Sequence, residues 1–200
     1  MISDELIEEI KESFKVNKFI NLQGIIGKPL SQFISSATIN DITFNNKFNN
    51  VISDAYVVDD KEFKTAPNTI YDNTVSKSIQ SSFAGMVSLY TDAELVPTYT
   101  RLYTVCKNNY FKRKEFVPNT EISLIMVSDF GANFNINNNE IELEKGDVLI
   151  IDNKHVEYEM KANEINASID IIACNYVRIS PENEQYYYDG DSNKGKVIKI

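Results

Sequence analysis

Apolar residues recur at helical spacing in two stretches of the chain. The first runs from Ile2 to Phe19, with Ser3 or Asp4 placed to cap its first turn. The second runs from Tyr71 to Tyr90. The apolar positions are Leu6, Ile7, Ile10 and Phe14 in the first stretch, and Val75, Ile79, Phe83 and Met86 in the second. A single apolar stripe in each stretch predicts two amphipathic helices, the second packed across the face of a sheet.

From Leu95 onward the hydrophobic period changes to two. Short segments rich in β-branched and aromatic residues are separated there by Asn, Pro and Gly, a pattern typical of strands and turns. The predicted strands are Thr98 to Cys106, Ile122 to Val127, Ala132 to Ile136, Glu140 to Leu143, Val148 to Ile151, His155 to Met160 and Ala167 to Ile179. Between Asn21 and Phe63 the pattern is broken, which predicts irregular structure with one or two strands, at Ile39 to Phe44 and Ala55 to Val58.

Seven short strands after two helices predict an α+β, mainly β fold, either a sandwich or a jelly-roll barrel supported by helices. The length of 200 residues fits a single domain. We expect an N-terminal segment (1–70), a support helix (71–94), a β core (95–180) and a tyrosine-rich tail (181–200). The tail residues Tyr186, Tyr187 and Tyr188 are candidates for an interaction surface, because exposed aromatic side chains are enriched at protein interfaces.

Composition narrows the functional classes. The net charge is −9, and the 20 basic residues form no stripe, so direct nucleic-acid binding is not expected. No apolar run is long enough to span a bilayer, and the acidic N-terminus does not resemble a signal peptide, so we expect a cytoplasmic protein without a membrane partner. Cys106 and Cys174 lie in apolar strand-like runs, which favours buried thiols over a disulfide or a redox role.

Four short motifs follow one another in the β-rich half of the chain. They are Leu95-Val96-Pro97-Thr98-Tyr99, Arg101-Leu102-Tyr103, Pro118-Asn119-Thr120-Glu121-Ile122-Ser123 and Gly146-Asp147-Val148-Leu149-Ile150. In order and spacing they resemble a viral and bacterial branch of the 2-oxoglutarate/iron(II) oxygenase superfamily. The resemblance covers Tyr71 to Tyr176, and it implies a double-stranded β-helix, that is, a jelly-roll or cupin-like barrel.

The resemblance also implies an iron site of two histidines and one carboxylate, which this chain departs from. Counting without gaps places Lys114 at the first histidine, Phe116 at the carboxylate and Tyr158 at the distal histidine. An ammonium group repels a cation, and a phenyl ring offers no lone pair. The only histidine of the chain is His155, so a site with two histidines cannot form within one chain.

Weaker metal ligands remain available. His155 lies near the expected distal position, although a single histidine there is more often a turn or strand-edge residue. Glu115, Glu157 and Asp152 could supply carboxylates. The resemblance further implies a basic residue about ten positions past the distal histidine, to hold the far carboxylate of 2-oxoglutarate, yet residues 163–172 contain no Lys or Arg. Together these departures predict a degenerate member of the superfamily.

We therefore expect a catalytically inactive oxygenase-fold protein that needs no cofactor and serves as a structural or interaction module. Its partners would be other protein subunits, in an assembly or a homo-oligomer. The 17 Lys against 3 Arg and the 23 Asn indicate an AT-rich coding sequence, which together with the branch's habitat suggests a phage or virus particle. Two alternatives stay open: an active hydroxylase using Fe(II) and 2-oxoglutarate at a non-standard site, and a metal-free barrel that binds a small ligand.

Overall fold

The computed structural model describes residues 3–37, 69–71, 74–106, 110–113, 118–128, 131–162 and 168–187. Within these ranges the helices are α1 (Asp4–Asn17), α2 (residues 28–37) and α3 (Thr74–Thr91). The strands are β1 (Phe19–Leu22), β2 (Thr69–Tyr71), β3 (Leu95–Cys106), β4 (Tyr110–Arg113), β5 (Ile122–Val127), β6 (Ala132–Ile136), β7 (Asn139–Leu143), β8 (Val148–Asp152), β9 (Tyr158–Ala162) and β10 (Ser168–Arg178).

The strands form two antiparallel sheets. One has six strands in the order β1-β8-β5-β10-β3-β2, and the other has four in the order β4-β9-β6-β7. From β3 onward the chain passes repeatedly from one sheet to the other, as a jelly-roll requires. The predicted α+β, mainly β fold with a double-stranded β-helix is confirmed.

The six-stranded sheet is buried on both faces. In β5, Leu124 and Met126 pack in a cluster with residues of α1 and α3, whereas Ile125 and Val127 pack in a second cluster with residues of the four-stranded sheet. This explains why all six residues of β5 are buried and why all but Ser123 are apolar. In contrast, β6 alternates buried and exposed residues, since only one of its faces meets the core.

Both helices predicted from the sequence are confirmed. Ser3 caps α1, its Oγ accepting a hydrogen bond from the Leu6 amide at 3.3 Å, and Phe14 is the buried residue of that helix. In α3 the buried apolar residues are Ile79, Val87 and Tyr90. No helix in the described ranges is long and apolar enough to cross a membrane.

The N-terminal segment differs from the prediction. Residues 28–37 form α2, where irregular structure was expected. Pro29 does not prevent this helix, because proline is tolerated in the first turn, which begins where the Ser31 amide bonds the Gly27 carbonyl at 3.0 Å. The short strand β1 was not predicted, and it extends the larger sheet by pairing with β8. The candidate strands at 39–44 and 55–58 lie outside the described residues.

Two further differences concern the smaller sheet. Strand β4 was expected to be loop, yet it pairs with β9 along its whole length. Strand β9 begins at Tyr158 rather than His155, because the chain turns at residues 153–155, where the His155 amide bonds the Asp152 carbonyl at 3.1 Å. A turn places its side chains by its own hydrogen bonds, so the alternation expected from His155 onward starts only at the true strand.

The Gly146-Asp147 motif holds the turn that leads into β8. Gly146 has a φ of +100°, which glycine adopts without a steric penalty. The Asp147 carboxylate accepts hydrogen bonds from the Gly24 amide at 2.7 Å and the Glu144 amide at 3.0 Å. The motif therefore joins the β7–β8 turn to the segment that follows β1.

Candidate functional site

The pairing of β4 with β9 places Tyr158, one of the expected iron positions, at the start of β9. Arg113, the last residue of β4, lies opposite Tyr158, the first residue of β9. Lys114 is the next residue along the chain after Arg113, but it lies outside the described residues, as do Glu115 and Phe116. The gapless count gave three iron positions, Lys114, Phe116 and Tyr158. Of these, the structure describes Tyr158, at the distal-histidine position.

Tyr158 is part of the apolar core between the two sheets. It is only 4 % exposed, and its ring centroid lies 6.0 Å from that of Phe134. The side chains buried with it in this core are Ile125, Val127, Ala132, Phe134, Ile136, Leu143, Leu149, Ile151, Val156, Met160, Ile169, Ile171 and Ala173. The barrel interior at these positions is therefore filled by hydrocarbon and not by groups that could bind a cation.

The expected anchor for 2-oxoglutarate falls in the same apolar core. Roughly ten positions past Tyr158, β10 contributes Ile169 and Ile171 to the cluster between the sheets, both almost fully buried. Residues 163–167 lie outside the described residues. Among the described residues of this stretch, Ile169 and Ile171 place no cation between the sheets.

His155 lies outside the barrel interior. Its Nδ1 is 2.9 Å from Oδ1 of Asp152, and its side chain is 47 % exposed. Asp152 itself is 1 % exposed, and its Oδ2 accepts a hydrogen bond from Nη2 of Arg178 at 2.8 Å. Both oxygens of Asp152 therefore have partners, with Arg178 at Oδ2 and His155 at Oδ1.

These residues do not fit an iron centre. No group of three His, Cys, Asp or Glu side chains in the described part of the chain is arranged to hold a metal ion. Glu157 is exposed to solvent, while its neighbour Tyr158 points into the apolar core. Asp152 is engaged by Arg178 and His155. Of the weak ligands considered from the sequence, His155 lies against Asp152, but the two form no group of three with Glu157, and Glu115 lies outside the described residues.

The motifs that carried the resemblance instead tie strand ends together. Thr98 donates its hydroxyl to the Asn119 carbonyl at 2.8 Å. Ser123 donates to Oδ1 of Asn175 at 2.7 Å. Glu121, only 6 % exposed, accepts a hydrogen bond from the Arg178 amide at 2.7 Å. Sequence reasoning missed Arg178 and Asn175, although a polar residue within the apolar run of β10 was the signal available.

A buried amide joins α3 to the barrel. Nε2 of Gln80 donates to the Asn175 carbonyl at 2.7 Å and to the Tyr99 carbonyl at 3.3 Å. Tyr176 donates its hydroxyl to the Gln80 carbonyl at 2.8 Å. Burial raises the pKa of the Tyr176 hydroxyl and that of the Cys174 thiol, which is not in a disulfide. These groups stay neutral and have a structural role.

The tyrosine run is partly engaged with its own chain. The Tyr187 hydroxyl accepts a hydrogen bond from the Ser180 amide at 2.7 Å and donates one to the Ser180 carbonyl at 2.9 Å. Tyr186 is half-buried in a short 3-10 turn, Glu184–Tyr186. Tyr188 lies outside the described residues. Among the candidate contact residues, Tyr187 therefore holds the segment after β10 in place through two hydrogen bonds to the Ser180 main chain.

Solved structures with the same architecture are oxygenases. The chain superposes on SnoN, a non-heme α-ketoglutarate-dependent epimerase of nogalamycin biosynthesis, with a TM-score of 0.65 and 7 % identity over 88 % of this chain and 84 % of that chain. A prolyl-4-hydroxylase from Pseudomonas putida gives 0.63 and 6 % identity over 87 % of this chain and 100 % of that one. EctD from S. alaskensis, solved with 2-oxoglutarate and 5-hydroxyectoine, superposes with a TM-score of 0.61 and 11 % identity. The superposition covers 89 % of this chain and 77 % of that chain.

Sequence comparison adds no closer relative. No protein-family profile matches the chain, and no curated protein sequence does. The structural matches have identities of 6 to 15 %, at which a shared fold does not carry a shared activity. The chain has the double-stranded β-helix fold of the 2-oxoglutarate- and iron-dependent oxygenases.

Proposed function

We propose that this chain is an oxygenase-fold protein without oxygenase chemistry, retained as a structural or interaction module. The observation that carries the proposal is Tyr158, which stands opposite Arg113 at the expected metal-binding end of the barrel and is buried in hydrocarbon. A single histidine, bonded through Nδ1 to Asp152, supports the same conclusion. A fold can outlast its chemistry, since function depends on the side chains of the site.

The proposal is tested with purified protein, Fe(II) and 2-oxoglutarate under air. We expect no succinate above that of a buffer control, and no stoichiometric binding of Mn(II), a redox-inert substitute for Fe(II), by calorimetry. One tightly bound iron per chain with succinate release would overturn the proposal. It would also favour the alternative of an active hydroxylase with a non-standard ligand set.

A variant that restores the family ligands tests the position assignment itself. The triple change Lys114→His, Phe116→Asp and Tyr158→His places two histidines and a carboxylate at the counted positions. If β4 and β9 align these positions, the folded variant should bind one Mn(II), whereas the single change Tyr158→His should not. A folded triple variant that binds no Mn(II) would contradict the assignment of these three positions.

We further propose that the module works as a subunit of a larger assembly, with a phage or virus particle as the first place to look. The lysine- and asparagine-rich composition supports this choice of source. Size-exclusion chromatography should show the chain in a complex well above its 22.8 kDa mass in the lysate of its source. Elution at the monomer mass, both purified and in lysate, would contradict an assembly role.

A further inference from the structure

One concave surface formed by the described residues lies outside the barrel. It is a depression of about 620 Å³ between the β6–β7 turn and the segment that joins β8 to β9. Its walls include Asn135, Asn137 and Asn138 on one side, and Lys154, His155 and Glu157 on the other. A volume of this size is within the range of small-molecule sites.

The polar groups of the depression are rich in amides and include more acidic than basic side chains. Each asparagine offers both donors and acceptors, and Lys154 is the cationic side chain, against the carboxylates of Glu157 and Glu159. An anion would meet more negative than positive charge here. An apolar ligand would find little hydrocarbon, since Val156 is the aliphatic side chain of the lining. A neutral molecule bearing many hydroxyl groups matches this set of partners.

His155 is held in one orientation at the wall of this depression. Its Nδ1 donates to Oδ1 of Asp152 at 2.9 Å, and Arg178 holds the other oxygen of that carboxylate at 2.8 Å. With Nδ1 engaged by Asp152, Nε2 is the ring nitrogen left for a ligand. A ring nitrogen fixed in this way suits a hydroxyl group, which can donate or accept, because little side-chain entropy is lost when the hydrogen bond forms.

An acceptor without a partner adjoins the same depression. Asn153 is 5 % exposed, and its Nδ2 donates to the Thr120 carbonyl and to Ser123 Oγ, each at 2.7 Å. Its Oδ1 is buried and accepts no hydrogen bond from the described residues. Buried polar atoms are nearly always satisfied, but Oδ1 is itself not exposed to the depression, so a ligand could supply its missing donor only after the Asn153 side chain reorients.

We infer that the depression is a binding site for a neutral carbohydrate. The sugar hydroxyls would hydrogen-bond with Asn135, with Asn137 and Asn138 of the β6–β7 turn, and with His155. This goes beyond the proposed function and does not depend on it, since the site lies on the outer surface and not between the sheets. Turnover of 2-oxoglutarate would refute the proposed function and leave this site untouched, whereas failure to bind sugar would leave the proposed function standing.

The test uses the full chain and titration calorimetry with maltotriose, cellotriose and triacetylchitotriose. We expect at least one trisaccharide to bind with a Kd below about 1 mM. ATP and Mn(II) serve as the anionic and cationic probes. No binding by any of the three sugars, or competition of ATP or Mn(II) for the same site at lower concentration, would overturn the inference.

Two variants and one matched control locate the site. Asn135→Ala removes an amide from the depression, and Asn138→Gly removes another without backbone strain, because Asn138 already has a φ of 66°. Each should weaken the sugar Kd at least about tenfold. Asn133→Ala alters the same exposed face of β6 but lies outside this depression, and it should leave the Kd unchanged. Equal Kd values for all three folded variants would refute the assignment.

Discussion

Arg178 donates a hydrogen bond from Nη2 to Oδ2 of Asp152 at 2.8 Å and so ties the end of β10 to the end of β8. The carboxylate is 1 % exposed, and the arginine side chain is 32 % exposed. Glu121 adds a second acid beside the same arginine, with 3.9 Å between its Oε2 and Nη1 of Arg178. Removing the arginine would therefore leave buried negative charge without its main partner.

We predict that Arg178→Met lowers the free energy of unfolding by about 3 kcal/mol, because an uncompensated buried charge is strongly destabilising. Urea denaturation at pH 7 measures the change. The control is Lys154→Met, an exposed cation close to the same acid along the chain, for which we expect a change within about 0.5 kcal/mol. Equal effects of the two substitutions would show that Asp152 does not depend on Arg178.

Tyr158 and Glu157 are neighbours that face opposite environments. Tyr158→Ala should cost about 3 to 5 kcal/mol of unfolding free energy, because it opens a cavity in the core between the sheets beside Phe134. Glu157→Ala should change stability by less than about 0.5 kcal/mol, because that side chain is exposed. Thermal and urea unfolding of both variants measure this contrast. A small effect of Tyr158→Ala would contradict the packed interior on which the proposed function rests.

Stability should fall in alkaline solution. Burial raises the folded-state pKa of Cys174 and Tyr176 above their ordinary values of 9.0 and 10.0. Above about pH 9 the unfolded chain loses these protons while the folded chain keeps them, so the folded state binds more protons and the free energy of unfolding decreases as pH rises. Each group contributes a slope of up to about 1.4 kcal/mol per pH unit.

The cysteine contribution is separated by Cys174→Ala. This variant should be less stable at pH 7, but its alkaline loss should begin nearer pH 10, where the buried tyrosine alone contributes. Urea midpoints measured from pH 7 to 10.5 provide the comparison. Parallel pH profiles for the natural chain and the variant would indicate that Cys174 does not titrate differently in the folded and unfolded states.

Tyr187→Phe should loosen the segment after β10 without unfolding the barrel. The substitution removes both hydrogen bonds between the Tyr187 hydroxyl and the Ser180 main chain, for a loss of about 1 kcal/mol. We expect amide hydrogen exchange at Ser180 to become about fivefold faster, with no change in the strand amides. Tyr186→Phe is the control, since its hydroxyl takes no part in these bonds. Unchanged exchange at Ser180 would contradict the fastening role.

Replacing glycine by alanine should change the stability of the protein in opposite directions at two positions. Gly146→Ala would place a Cβ 3.1 Å from the Ile26 carbonyl oxygen at a φ of +100°, so we expect destabilisation of more than about 1 kcal/mol. Gly85→Ala, on the exposed side of α3 with no atom within 4 Å of the new Cβ, should stabilise the protein by about 0.5 to 1 kcal/mol. Thermal unfolding distinguishes the two, and a stabilising Gly146→Ala would show that the β7–β8 turn is not constrained.

Local periodicity determined much of the fold. The apolar side chains of α1 and α3 recur about every 3.6 residues, β5 is mostly apolar, and β6 alternates. Each pattern follows from which faces of the element are buried. The count of one histidine required only the sequence, and it excludes a two-histidine site within one chain whatever the structure. These properties are readable because each depends on residues close together in the chain or on composition alone.

Tertiary structure decided the rest. Helix α2 and strand β1 are too short for a periodic signal, and β1 is held by its pairing with β8, more than a hundred residues away along the chain. The burial of Tyr158 depends on the register between β4 and β9, and the role of Asp152 depends on Arg178 reaching it from another strand. Such contacts join residues distant in sequence, so no local pattern encodes them, and they decide that His155 faces an outer depression while Tyr158 is buried between the sheets.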